Sequence, residues 1–263
     1  MSLVFAGISP HPPIIIPNIG KENLETVRQT ITALEKLNQQ LKESKPDTLI
    51  IISPHAPLFA DAFCLNLCQH YQGNFQQFGD LITHLELSGN IALASKIKAE
   101  LEYNFPLAVI SQPELDHGTL VPLYYLTKGL PNLSIISFSS SLLNLNEHFN
   151  FGYKLKDEII NTEQRVAFIA SGDLSHRLTP DAPANYSPQG RVFDQTLIKL
   201  LKDKDSKKIL NLDEDLINQA GECGLRPITI LLGLISKIKY QPEILSYQGP
   251  FGVGYLVANF KLE

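Results

Sequence analysis

The sequence predicts an α/β fold, a layered αβα domain built on a central mixed, largely parallel sheet with helices on both faces. Three observations predict it. Short apolar runs of strand length recur along the whole chain, amphipathic helical patterns fall between most of them, and turn-forming residues separate the two kinds of segment. Alternation of this kind places successive strands side by side with helices covering the faces.

The first run, Leu3-Val4-Phe5-Ala6-Gly7-Ile8, leads into a Pro-rich loop. Residues 22–43 then carry Leu24, Val27, Ile31, Leu34, Leu37 and Leu41 on one helical stripe, ending near Pro46. Strands are predicted at 47–53, 62–68, 107–110, 133–138, 165–170, 243–247 and 254–260. Helices are predicted at 91–103, 119–128, 147–161, 188–202 and 226–238. The last two strands have no helix between them, which predicts an antiparallel pair. The polar stretch 179–189 reads as a loop beside a site. No linker divides the chain, so residues 1–263 are expected to form one domain.

Composition narrows the function. Hydrophobic residues at 44% and charged residues at 19% are ordinary for a globular chain, and a net charge of -5 offers no basic stripe to nucleic acid. No apolar run reaches the roughly 20 residues that span a bilayer, and the N-terminus enters a strand without a signal-peptide pattern, so the expected location is the cytoplasm, away from membranes. Cys64, Cys68 and Cys223 form no CxxC pair and read as reduced thiols. A homodimer is the default for an enzyme of this size.

The chemistry is announced by a repeated phrase. Ser9-Pro10-His11-Pro12-Pro13 follows the first strand and Ser53-Pro54-His55-Ala56-Pro57 follows the second. Strand ends of an open α/β sheet form the ligand-binding rim, and flanking prolines stiffen the loop that presents each imidazole. A third strand runs into Gly172-Asp173-Leu174-Ser175-His176. Two histidines and a carboxylate on one rim would hold a metal with positions left open, which makes His11 and His55 the leading ligands. Glu222, in Gly221-Glu222-Cys223-Gly224 ahead of an apolar helix, is the preferred third ligand; Cys223 is the alternative and would favour zinc or copper(I). One turn of backbone would set Asp173 beside His176 as orienter and base. His117, in Asp116-His117-Gly118, is placed to orient substrate or donate a proton.

Other features point away from chemistry. His70 and His84 sit in polar, loop-like surroundings, and His148 lies in an amphipathic helix where exposure is expected. Ser139-Ser140-Ser141 lacks the setting of a nucleophile elbow, and the glycines of 249–254 precede a strand instead of a phosphate-binding helix.

Taken in order, the four motifs around His11, His55, Asp173 to His176, and Glu222-Cys223 resemble the class III extradiol ring-cleavage dioxygenases, the LigB family, nearly end to end. The likeness is greatest to the LigB-like branch found with Memo and radical-SAM partners. That resemblance implies a non-haem Fe(II) held by His11, His55 and Glu222, with His176 as acid-base residue and His117 beside the ligands. It implies a small aromatic diol and O2 as substrates. Memo-type relatives resemble the same segment with a cysteine at the position of Cys223, which implies as an alternative a metal-binding protein without dioxygenase activity; a zinc-dependent hydrolase is a further class that uses the same ligands.

Overall fold

The computed structural model describes residues 2–263. Ten strands join one sheet: β1 (Leu3–Ser9), β2 (Thr48–Ser53), β3 (Phe63–Asn66), β4 (His70–Phe75), β5 (Asp80–Gly89), β6 (Leu107–Ile110), β7 (Ser134–Ser139), β8 (Val166–Ser171), β9 (Tyr240–Gln248) and β10 (Tyr255–Leu262). The main order is β4-β5-β7-β2-β8-β1-β10-β9, with β3 and β6 attached through β7. The central strands β5, β7, β2, β8 and β1 are parallel, and antiparallel pairs close both ends. This is the mixed, largely parallel αβα architecture expected, including the antiparallel pairing of β9 with β10.

The helices are α1 (Pro17–Gly20), α2 (Arg28–Glu43), α3 (Ile91–Leu101), α4 (His117–Leu126), α5 (Leu145–Ile160), α6 (Pro188–Lys202), α7 (Ser206–Leu210), α8 (Glu214–Ala220) and α9 (Leu225–Ile235). None is long and apolar enough to cross a membrane among the described residues. Alternate residues of the central strands feed two cores. Ile50 and Ile52 of β2 join Phe138, Phe168, Phe151 and Leu231 on one face, under α5 and α9. Leu49 and Ile51 join Leu34, Leu37, Val121 and Leu126 on the other, under α2 and α4. Burial on both faces is why these strands read as unbroken apolar runs. Helices α5 and α9 pack at backbone distance: a Cβ on Gly152 would lie 1.9 Å from the Ile230 carbonyl oxygen, and one on Gly233 2.0 Å from that of Phe149.

Several local expectations need correction. The helix expected from residue 22 starts at Arg28, after a 3-10 segment (Lys21–Glu25) that opens on Lys21 at φ 48°. His70 and His84 are exposed, but they stand on the hairpin β4–β5, whose first strand alternates buried Tyr71, Gly73 and Phe75 with exposed polar residues. Two short helices, α7 and α8, fill a stretch where none was predicted. His148 is fully buried: its Nε2 accepts the Ser141 backbone N–H at 3.2 Å, and its Nδ1 lies 2.9 Å from the Asn144 carbonyl oxygen. Burial holds its pKa down at about 4, so it packs as a neutral ring.

What matters for function is the order β2-β8-β1 at the sheet centre. These three parallel strands end together on Ser53, Ser171 and Ser9. Their following loops deliver His55, Asp173 and His11 to one rim, as expected for the carboxyl edge of such a sheet.

Candidate metal centre

His11 and Asp173 form the buried floor of the site, His117, His176 and Cys223 are half-buried, and His55 stands at the exposed mouth. The Nε2 atoms of His11 and His55 are 3.0 Å apart, and Cys223 Sγ lies 3.5 Å from His11 Nε2. All three donor atoms fall within 4.8 Å of one another. The His117 ring stacks on His55 with centroids 4.4 Å apart, meets His11 edge-on at 5.6 Å and meets Phe78 edge-on at 5.5 Å.

The tautomer of His11 follows from its neighbours. Ser171 Oγ–H donates to the Gly118 carbonyl oxygen, which can only accept. The serine oxygen must therefore receive the His11 Nδ1–H, 2.9 Å away. His11 Nε2 is left with a lone pair directed at His55 Nε2 and Cys223 Sγ. Such an outer hydrogen bond is how a ligating imidazole is oriented.

His55 is fixed by a parallel device. Its backbone N–H donates to Ser53 Oγ at 3.1 Å, and that hydroxyl donates to Asp116 Oδ1 at 2.6 Å. Asp116 also caps α4, accepting the Thr119 N–H at 3.1 Å and the Thr119 hydroxyl at 2.7 Å. Only glycine fits at position 118, where a Cβ would lie 2.6 Å from Ser53 Oγ and 3.1 Å from His55 Cδ2.

Burial is the first cause that holds His11 well below the ordinary imidazole value, with the charges of His55, His117 and His176 adding to it. His55, His117 and His176 are likewise lowered, burial first. Neutral imidazoles are the form that binds metal. Burial, then the Asp173 and Glu222 carboxylates, pushes the Cys223 thiol well above its usual range. A bound cation would reverse that balance and favour the thiolate. The Asp173 backbone N–H, 3.3 Å from Sγ, already donates toward the sulfur.

The donor set passes a test of fit. Ligands at zinc distances of about 2.0–2.1 Å for nitrogen and 2.3 Å for sulfur, set tetrahedrally, stand roughly 3.3 Å apart for two nitrogens and 3.6 Å for nitrogen and sulfur. The His11–His55 and His11–Cys223 spacings of 3.0 and 3.5 Å are close to these, and the His55–Cys223 pair lies within 4.8 Å.

Residues 6–258 match the family described as the catalytic LigB subunit of aromatic ring-opening dioxygenase. The chain belongs to the LigB family. A Clostridium acetobutylicum protein is 35% identical over the whole of this chain, which spans 58% of that relative's length. The 3,4-dihydroxyphenylacetate 2,3-dioxygenase of Escherichia coli is 23% identical, with 92% of each chain covered. Among solved structures, an uncharacterized protein of Escherichia coli K12 shares the fold with a TM-score of 0.71 at 18% identity, covering 97% of this chain and 99% of its own.

Within this LigB chain the adjacent residues Glu222 and Cys223 part company. Cys223 joins the two imidazoles and Glu222 does not. The Glu222 carboxylate turns back to accept the Leu225 N–H at 2.5 Å, at the start of α9, and lines a different cavity. The cause lies in the backbone. Gly221 ends α8 at φ +60°, and the Cys223 and Gly224 N–H groups then both bond the Asp173 carbonyl oxygen, at 3.3 and 2.9 Å. These bonds hold Cys223 against β8.

The expected pairing of Asp173 with His176 is also absent. After β8 the chain stays extended, Leu174 N–H donating to the Gly254 carbonyl and Gly254 N–H to that of Ser175, so no helical turn stacks residues three apart. Asp173 instead accepts the His11 backbone N–H at 2.9 Å, with its other oxygen 3.9 Å from His11 Nε2. Burial raises its pKa to about 7. His176 stands near enough for its charge, when protonated, to lower the His11 pKa, as the charge of His55 lowers its own, and its Nδ1 is buried without a hydrogen bond. Sequence reasoning did not find Ser171, Ser53 and Gly118 as supports. Their one signal is that β1, β2 and β8 all end in serine.

Proposed function

We propose that the chain is a metal-dependent extradiol ring-cleavage dioxygenase, acting on a catechol-type aromatic diol with O2, whose ligands are His11, His55 and Cys223. The convergence of three donor atoms at the joined ends of β1, β2 and the β8–α9 crossing carries this reading. LigB membership supports it, as do relatives named as dioxygenases of 3,4-dihydroxyphenylacetate and 2,3-dihydroxyphenylpropionate. Iron(II) is proposed because ring cleavage with O2 needs a redox-active metal; the thiol donor taken alone favours zinc. When bound, iron supplies the redox-active centre that lets O2 react with the diol.

The chain's own residues do the rest. His176, neutral through burial, accepts the proton of a diol hydroxyl and returns it when the ring opens. His117, stacked on His55 and met edge-on by Phe78, flanks the diol and orients it. Asp173 fixes the His11 backbone, and so is a positioning residue. Ser171 holds the His11 tautomer.

A second reading, a Memo-like metal-binding protein without ring cleavage and with zinc as its metal, is favoured by one observation: the third donor is a thiol. Oxygen uptake by iron-loaded protein across a panel of catechols separates the two. The dioxygenase reading predicts uptake with a yellow ring-opened product, and a loss of about 10²–10⁴ in rate for His176→Ala with metal retained. Metal-loaded protein that takes up no oxygen with any diol leaves the second reading.

A further inference from the structure

Glu222 and Arg226, which the metal chemistry does not use, share a cavity of 420 Å³. None of the site residues on the other side of this segment, His11, His55, His117, Asp173, His176 or Cys223, lines it. Its floor and walls include Leu143, Leu212, Ile217 and Leu225 from α8, α9 and the neighbouring loops, and exposed Asn146, Glu214 and Asn218 stand at its rim. The volume is within the range of small-molecule sites, about 300–1,000 Å³.

Its cation is unpaired. Arg226 Nε is buried without a hydrogen-bond partner, and the guanidinium forms no ion pair among the described residues. A half-buried cation with idle donors is costly unless something anionic completes it. Glu222 commits one oxygen to the Leu225 N–H and leaves the other for a donor. One cationic side chain and one carboxyl, whose pKa burial raises to about 7, stand four residues apart above aliphatic walls and match a ligand with charges of both signs on an aliphatic body.

We propose that this cavity binds a small aliphatic zwitterion, an amino acid or dipeptide, with its carboxylate on Arg226 and its ammonium group on Glu222. The aliphatic side chain lies on Leu143, Leu212, Ile217 and Leu225.

The test is calorimetric titration of the full chain, both chelator-treated and metal-loaded, with L-leucine, L-leucyl-L-leucine, L-leucinamide and 4-methylpentanoate. Saturable binding of at least one zwitterion is expected in both forms, with the amide and the deaminated acid weaker by about tenfold or more. The two zwitterions distinguish an amino-acid from a peptide site. Arg226→Gln is expected to lose binding by a similar factor. Methyl NMR of the unaltered chain locates the ligand without a variant, with shifts expected at Leu143, Leu212 and Ile217. Absence of saturation by either zwitterion up to about 10 mM overturns the proposal. So does binding that vanishes on chelation, or methyl shifts that fall elsewhere.

Discussion

Ser171 Oγ bridges His11 Nδ1 and the Gly118 carbonyl, so one hydroxyl on β8 sets the tautomer of a histidine on the β1 loop. Ser171→Ala removes the acceptor and frees the ring to adopt the other tautomer. Metal affinity, measured by competition with a chromogenic chelator, is expected to fall by about 10–100-fold while the fold persists. Unchanged affinity would show that the serine does not orient the ring.

Gly172 and Gly224 bring β8 and the α9 crossing into backbone contact. A Cβ on Gly172 would lie 2.2 Å from Gly224 Cα. Gly172→Ala is therefore expected to push the Cys223 segment away from His11, costing about 1–3 kcal/mol of stability and most of the bound metal. Denaturant unfolding and metal analysis on the same preparation check both effects.

Asp194 of α6 is buried, accepting the Ser175 N–H at 2.8 Å and the Tyr247 hydroxyl at 2.6 Å. Burial raises its pKa from 3.8 to about 6. The folded state thus holds this proton more tightly than the unfolded one. Its contribution to stability is fully present below about pH 4 and is lost as pH rises through about 6, on the order of 2–3 kcal/mol. Asp194→Asn, which keeps one acceptor and adds a donor, is expected to flatten that part of the stability profile of metal-free protein between pH 4 and 6. An unaltered slope would contradict it.

Much of this was legible in the sequence. Apolar runs of strand length located the parallel strands because both faces of the sheet centre are covered. The doubled Ser-Pro-His phrase marked His11 and His55 because β1 and β2 flank β8 and end at the same level. The hairpin β4–β5 was missed because its exposed face is polar, although Tyr71, Gly73 and Phe75 alternate as a strand should. His148 was misjudged because a helical stripe does not reveal that Ser141 and Asn144 cover the ring. The choice between Glu222 and Cys223 was beyond a linear reading. Adjacent side chains point apart, and the left-handed turn at Gly221 with the bonds to the Asp173 carbonyl decides which one faces His11.

The most direct test is metal content by mass spectrometry of anaerobically purified, iron-loaded protein, with Cys223→Ser and Glu222→Ala prepared in parallel. About one metal ion per chain is predicted in wild type and in Glu222→Ala, with a large loss in Cys223→Ser. Loss in Glu222→Ala with retention in Cys223→Ser would contradict the proposed ligand set, and a wild-type protein that holds no metal would contradict the account at its centre.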